Sequence, residues 1–277
     1  MQWICLIFNL IMKYLGGKKK IAKYIAYIIN TYHPNINHYY EMFCGMCSVG
    51  LLVNAKYKHF SDAFKPNISL LNAIKGGVWQ PPEEFPLEKY KEYMNYVKQV
   101  EKSGDKYELE KLYSNPLTSY VGFSLSFGAK YFGGFARNRK GNDDNSKFIS
   151  STNEWINLIR LGNKFVNADF KHADYRTILP TNSVIYLDPP YIDTTALKQN
   201  KETFNHDDFY NYCDELVKRN NQVFISEYFM PSDRFTLIAE FHFKQTMAVQ
   251  QDKGVAKTER LYIPRKTGKN ILLPFYK

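Results

Sequence analysis

Ser183-Val184-Ile185-Tyr186-Leu187-Asp188-Pro189-Pro190-Tyr191 is the stretch on which the fold reading turns. Its apolar run is too short for a helix and suits a strand buried on both faces, and such strands belong to parallel sheets. Pro189 and Pro190 end the strand, because proline lacks a backbone N–H and forces the residue before it into an extended form. An acid, a rigid diproline and an aromatic ring are thus presented together at a strand's carboxyl end, where open α/β sheets bind ligands. The set fits a flat base carrying an exocyclic amine. The Asp188 carboxylate and the Pro189 carbonyl can accept N–H bonds, and Tyr191 can stack on the ring.

Working outward, Phe209, Tyr212, Cys213, Leu216 and Val217 have helical spacing, and Gln222 to Ser226 reads as the next buried strand. Upstream, Ser151-x-x-Glu154 has the form of a capping box opening a helix with Trp155, Ile156 and Ile159. Near the start, Gly16-Gly17 permits a tight turn into a helix carrying Ile21, Tyr24, Ile25, Ile28 and Ile29 on one stripe. A strand over Asn37 to Phe43 then meets a small-residue turn, Cys44 to Ser48, and a helix is expected from Val49, Leu51, Leu52 and Val53. A second strand, Lys58 to Ser61, ends at Asp62, 17 positions beyond Gly45. Strand, turn, helix, strand and acid in that order make a nucleotide-binding unit. The turn offers backbone N–H groups to a polar ligand and the acid accepts from ribose hydroxyls. Strands alternate with helices throughout, so the class is α/β with a mainly parallel sheet.

Between these segments the character changes. Gly76-Gly77 and Pro81-Pro82 break the pattern, Lys89 to Leu112 reads as exposed helix, and Thr118 to Lys147 is rich in Gly, Ser and aromatics with a basic tip. Residues 75–150 are taken as an inserted domain within a catalytic domain of residues 1–74 and 151–277. The 277 residues carry 37 Lys plus Arg against 27 Asp plus Glu, a formal charge of +10, which suits a polyanionic partner. Lysine supplies 29 of those cations, and every Arg lies at position 137 or later. Hydrophobic residues at 44% and aromatics at 16% exclude a disordered chain. Cys5, Cys44, Cys47 and Cys213 are too few for a disulfide scaffold and indicate a reducing, cytoplasmic setting. No apolar run reaches the roughly 18 residues of a membrane span. Met1 to Met12 is apolar but lacks a basic leader and a cleavage site, so it reads either as an N-terminal strand or as sequence preceding a true start at Met12.

With Asp188-Pro189-Pro190-Tyr191 in place, the chain resembles the S-adenosylmethionine-dependent adenine-N6 DNA methyltransferases of the Dam kind, bacterial or phage-encoded. Four further segments carry the resemblance: Lys13-Tyr14-Leu15-Gly16-Gly17-Lys18, Glu41-Met42-Phe43-Cys44-Gly45, Asp62-Ala63-Phe64-Lys65-Pro66-Asn67 and Lys257-Thr258-Glu259-Arg260-Leu261-Tyr262. They stand in the family's order across nearly the whole chain. The resemblance implies a Rossmann-like methyltransferase fold with a small, mostly helical target-recognition domain inserted, S-adenosylmethionine as cofactor, double-stranded DNA as partner, no obligate protein partner and no metal. It implies cofactor contacts from Tyr14, Gly17, Lys18, Phe43, Gly45, Asp62, Asp169 and Asp188, and catalysis by Asp188, Pro189, Pro190 and Tyr191. The family usually has another glycine or small residue where Met46 and Cys47 stand here, and often an Asn where Glu227 stands.

In the insertion, Arg137 and Arg139 suit bidentate recognition of guanine or phosphate, and Lys130 and Lys140 suit phosphate. Other readings stay open at this level. Cys44-Gly45-Met46-Cys47 has the spacing of a thioredoxin-type redox pair. The acceptor on the same fold could be cytosine N4 or an RNA base, or the chain could bind DNA without turnover.

Overall fold

The computed structural model describes residues 17–77, 79–138, 140–161, 163–191, 204–245 and 255–265. Within these, seven strands form one sheet: β1 (Ile36–Met42), β2 (Ala55–Asp62), β3 (Ala168–His172), β4 (Val184–Leu187), β5 (Gln222–Glu227), β6 (Phe235–Gln245) and β7 (Val255–Pro264). Their order across the sheet is β3-β2-β1-β4-β5-β7-β6. The first five strands are parallel; β7 runs antiparallel to both β5 and β6. Chain order reverses between β1 and β4, and the crevice at that reversal is where such sheets hold ligands. Asp188 follows β4 and Phe43 follows β1, so both motifs land there.

Among the described residues the helices longer than two turns are α1 (Ala22–Tyr32), α2 (Lys65–Gly76), α3 (Leu87–Ser103), α4 (Lys106–Ser114), α5 (Ser146–Leu161) and α6 (His206–Lys218). α1 buries Ala22, Ile25, Ala26 and Ile29, a single stripe at helical spacing. α6 buries Phe209, Tyr212, Cys213 and Leu216; Asn205 caps it by accepting from the Asp207 and Asp208 N–H groups. Asp207 and Asp208 at its start and Lys218 at its end complement the helix dipole. One sheet face, with Tyr39, Phe60, Phe170 and Tyr186, packs under α1, α2 and α5. The other, with Met42, Ile185, Leu187, Val223 and Ile225, packs under α6.

The charged stretch Lys89 to Leu112 is helical as expected, divided between α3 and α4. Gly104, in the left-handed region at φ +68°, ends α3, and Asp105 caps α4 through the Tyr107 and Glu108 N–H groups. A helical turn at Pro116–Ser119 runs into a π-helical turn, Tyr120–Ser124. A tight reversal follows, closed by a bridge between Ser126 and Phe135. Leu87, Tyr90, Val97, Leu112, Tyr120 and Phe135 join the same apolar core as the sheet.

The structure departs from the sequence reading in three places. No helix follows β1: residues 47–53 form a string of turns, with Leu51 N–H donating to the Cys47 carbonyl and Leu52 N–H to that of Val49. Cys47, Val49, Leu51 and Val53 are all buried, so the segment lacks the polar side a surface helix needs. A Cβ at Gly50 would lie 2.4 Å from Glu41 Oε2 and 2.4 Å from the Phe60 ring. Gly50→Ala is therefore expected to destabilise the fold by about 1–3 kcal/mol through overpacking, read from the urea midpoint. Secondly, α5 begins at Ser146, five residues before Ser151, so Ser151 and Glu154 lie inside the helix and do not cap it. Thirdly, β6 and β7 form a long antiparallel hairpin, with a register shift between Leu237 and Ala239, that the sequence reading lacked.

Candidate active site

The first side chain at the reversal comes from the turn before α1. The Lys18 carbonyl accepts from the Ile21 and Ala22 N–H groups, which fixes Lys18 at the head of α1 and sends its side chain inward. Its ammonium, 5% exposed, lies 2.7 Å from Asp188 Oδ1 and 3.5 Å from Glu259 Oε2. The same ammonium sits 4.5 Å from the centroid of the Tyr191 ring. The Tyr191 hydroxyl donates to Glu259 Oε2 at 3.2 Å, and the Tyr191 ring meets Tyr228 edge-on at 4.5 Å. Asp188, Tyr191, Lys18 and Glu259 thus form one connected cluster drawn from the segment after β4, the turn before α1 and β7.

Burial pushes the Asp188 carboxyl up to about 6, against the pull of the Lys18 charge. Burial alone would lower the Lys18 pKa, but Asp188 and Glu259 outweigh it and the net shift is upward. Among the described residues two carboxylates face the Lys18 ammonium, so the cluster favours a further positive charge. Glu227, buried at the end of β5, adds an acid beside Tyr191.

The turn after β1 forms the adjoining wall. Phe43 at φ +64°, Gly45 at φ +49° and Cys47 at φ +56° all lie in the left-handed region, two of them at a cost that glycine would not incur. Asp62 holds this shape: its Oδ2 accepts from Gly45 N–H at 2.8 Å and its Oδ1 from Phe64 N–H at 2.7 Å. Phe43 packs against Tyr175, Phe204 and Phe209. Beneath the turn, Glu41 accepts from the Tyr39 hydroxyl at 2.9 Å, and burial pushes its carboxyl up to about 8.

Other expected residues fall elsewhere. Asp169 lies within β3, three residues before its end, with an exposed carboxylate 2.5 Å from His59 Nδ1. Lys130 and Lys140 are exposed in the 75–150 segment, where Arg137 pairs with Asp143 at 2.6 Å. Tyr14 and Arg139 lie outside the described residues, as does Met1 to Met12. Cys44 and Cys47 are both buried, and burial raises both thiol pKa values, opposite to what a redox-active pair requires. Glu259 and Glu227 are site residues that the sequence reading did not select. Among the described residues no helix is long and apolar enough to cross a membrane, and no His, Cys, Asp and Glu group could hold a metal ion.

Residues 14–252 match the model of the D12 class N6 adenine-specific DNA methyltransferases. The chain belongs to this family. It is 27% identical over 211 residues to the modification methylase StsI of Streptococcus sanguinis, and 23% identical over 203 residues to the type II methyltransferase M.FokI of Planomicrobium okeanokoites. Each alignment covers 67% of this chain and 29% of the relative, so the chain matches under a third of each relative's length. The solved structure of PH1948 from Pyrococcus horikoshii aligns over 90% of this chain and 84% of that one, with a TM-score of 0.40 and 8% identity. The sheet, parallel but for β7 and flanked by helices, is the Rossmann-like methyltransferase arrangement that this D12 chain was expected to have.

Proposed function

We propose that the chain methylates N6 of adenine in double-stranded DNA, with S-adenosylmethionine as methyl donor. The observation that carries the reading is the buried Asp188–Lys18–Glu259–Tyr191 cluster at the chain reversal of a D12 methyltransferase. The cluster fits the donor chemically. Its excess of carboxylates suits a cationic sulfonium, and the left-handed turn at Phe43 to Cys47 presents backbone beside it. Gly17, Lys18, Phe43, Gly45, Asp62 and Asp188 would hold the cofactor, Tyr14 joining them by its place before Gly17. When bound, the cofactor supplies an electrophilic methyl group.

The chain's own residues then have to present an amine. The N6 lone pair of adenine is delocalised into the ring, and the base lies inside the duplex stack, so it must be flipped out at a cost of a few kcal/mol. Asp188 and the Pro189 carbonyl accept its two N–H groups and favour a pyramidal nitrogen, while Pro190 holds the backbone extended. The amine needs the place that the Lys18 ammonium holds on Asp188, so Lys18 must yield as the base enters. Tyr191, whose ring now carries that ammonium on its face, is then free to stack on adenine. Most of the acceleration is positioning and electrostatic preorganisation. Lys130, Arg137, Arg139 and Lys140 would contact the DNA from the insertion, which we take as the target-recognition domain.

Only ionised Asp188 is a full acceptor. Its carboxyl is pushed up to about 6, so kcat/KM is expected to fall as pH drops through about 6. A pH profile with tritiated methyl donor and duplex substrate checks this. A rate unchanged down to pH about 4.5 would remove Asp188 from that role.

A further inference from the structure

A ridge of lysines and rings borders the cluster on its β6 side. Lys20, Lys23 and Tyr24 are exposed on and just before α1. The Lys20 ammonium lies 5.2 Å from the Phe243 ring centroid, the Tyr24 ring stacks on Phe241 at 6.2 Å, and the Lys23 ammonium lies 4.6 Å from the Tyr24 ring. Phe241 is paired across the hairpin with Glu259, so the ridge stands at the level of the catalytic cluster. No acidic residue precedes Glu41 in the chain, so nothing on α1 offsets these charges. Rings that support an ammonium from one side hold it in place, so less entropy is lost when it meets an anion.

The insertion lies toward the other end of the sheet. α2 packs on β2 and β3 and carries α4 and the Pro116–Ser119 turn. β3 and β6 are the two edge strands, six strand intervals or about 29 Å apart, with the cluster between them. That distance matches about eight base pairs at about 3.4 Å each.

Given the proposed DNA substrate, on which this inference rests, we infer that Lys20 and Lys23 form a second phosphate-binding surface, held up by Tyr24, Phe241 and Phe243. It would grip duplex backbone on the side of the target adenine away from the insertion. Phosphate contacts add affinity without sequence preference. The surface would therefore anchor the duplex while the insertion reads it.

The test is duplex binding by the full chain, followed by fluorescence anisotropy across a salt series, for wild type, Lys20→Ala/Lys23→Ala and Lys20→Arg/Lys23→Arg. Thermal melting verifies the fold of each variant. Loss of two phosphate contacts is expected to make the log–log salt slope shallower by about 1.8 and to weaken binding about tenfold or more at low salt. The loss should be equal on target and non-target duplexes, and the arginine pair should restore it. Unchanged affinity and slope in a folded alanine variant would overturn the inference, as would a loss confined to one DNA sequence. Wild-type protein that binds no duplex would overturn the proposed substrate as well, so the two failures are distinguishable.

Discussion

Replacing Asp188 with alanine is expected to lower methyl transfer by about 10²–10³-fold or more, the scale for removing a preorganised group aimed at the reacting centre. Asp188 is the buried carboxylate at the end of β4, and its partner Lys18 is itself nearly enclosed. Alanine removes the acceptor and also removes the nearer of the two carboxylates that face Lys18. Asp188→Asn is the sharper comparison. It keeps the volume and one acceptor oxygen and loses the charge, so it should retain the fold and still lose most of the rate. Single-turnover kinetics with both substrates saturating would separate this from weakened binding. A wild-type rate in either variant would show that Asp188 does not handle the amine.

The second large effect is expected at Lys18. Lys18→Met keeps an unbranched side chain only one atom shorter but removes the ammonium that Asp188 and Glu259 face. Breaking a buried pair from one side costs about 3–5 kcal/mol. The cost has a defined pH dependence. Asp188 already has a folded pKa above its ordinary value, and removing Lys18 removes the influence that lowers it. A carboxyl raised in the folded state contributes stability below its unfolded pKa and loses it as pH rises through the folded value. The variant should therefore be least destabilised near pH 5 and most near pH 8, and the acid limb of its activity should move above about 6. Urea unfolding at the two pH values, together with a rate profile, tests both statements. Equal destabilisation at both pH values would mean that Lys18 acts through packing and not through charge.

The central architecture was legible because its physics is local. Val184 to Leu187 is apolar on both faces and stops at prolines, so its sequence reads as a buried parallel strand and its end as a site. α1 and α6 announce themselves by one apolar stripe each. What was not legible depends on contacts between distant segments. Cys47 to Val53 has enough apolar residues for a helix, yet it forms buried turns, and the close approach of Gly50 to Glu41 and Phe60 is a contact that no local pattern reveals. β6 and β7 mix charged with apolar residues and find their order only by pairing with each other and with β5. Glu259 was visible as part of a motif but not as a partner of Lys18 and Tyr191, because that meeting depends on β7 lying beside β5. Asp62 was legible as the acid after the second strand, but not that both its oxygens accept backbone N–H groups and shape the turn at Gly45, because that depends on β2 lying beside β1.

Native long-read sequencing of DNA from a methylation-free bacterial host reads the modified base and its sequence context together. The host would express the full chain or its Asp188→Ala variant, each verified as soluble and folded. N6-methyladenine is expected within a short sequence motif in DNA from cells with the wild-type chain, and is expected to be absent with the variant. Unmodified adenine in the presence of folded wild-type protein, or equal modification by the variant, would contradict it.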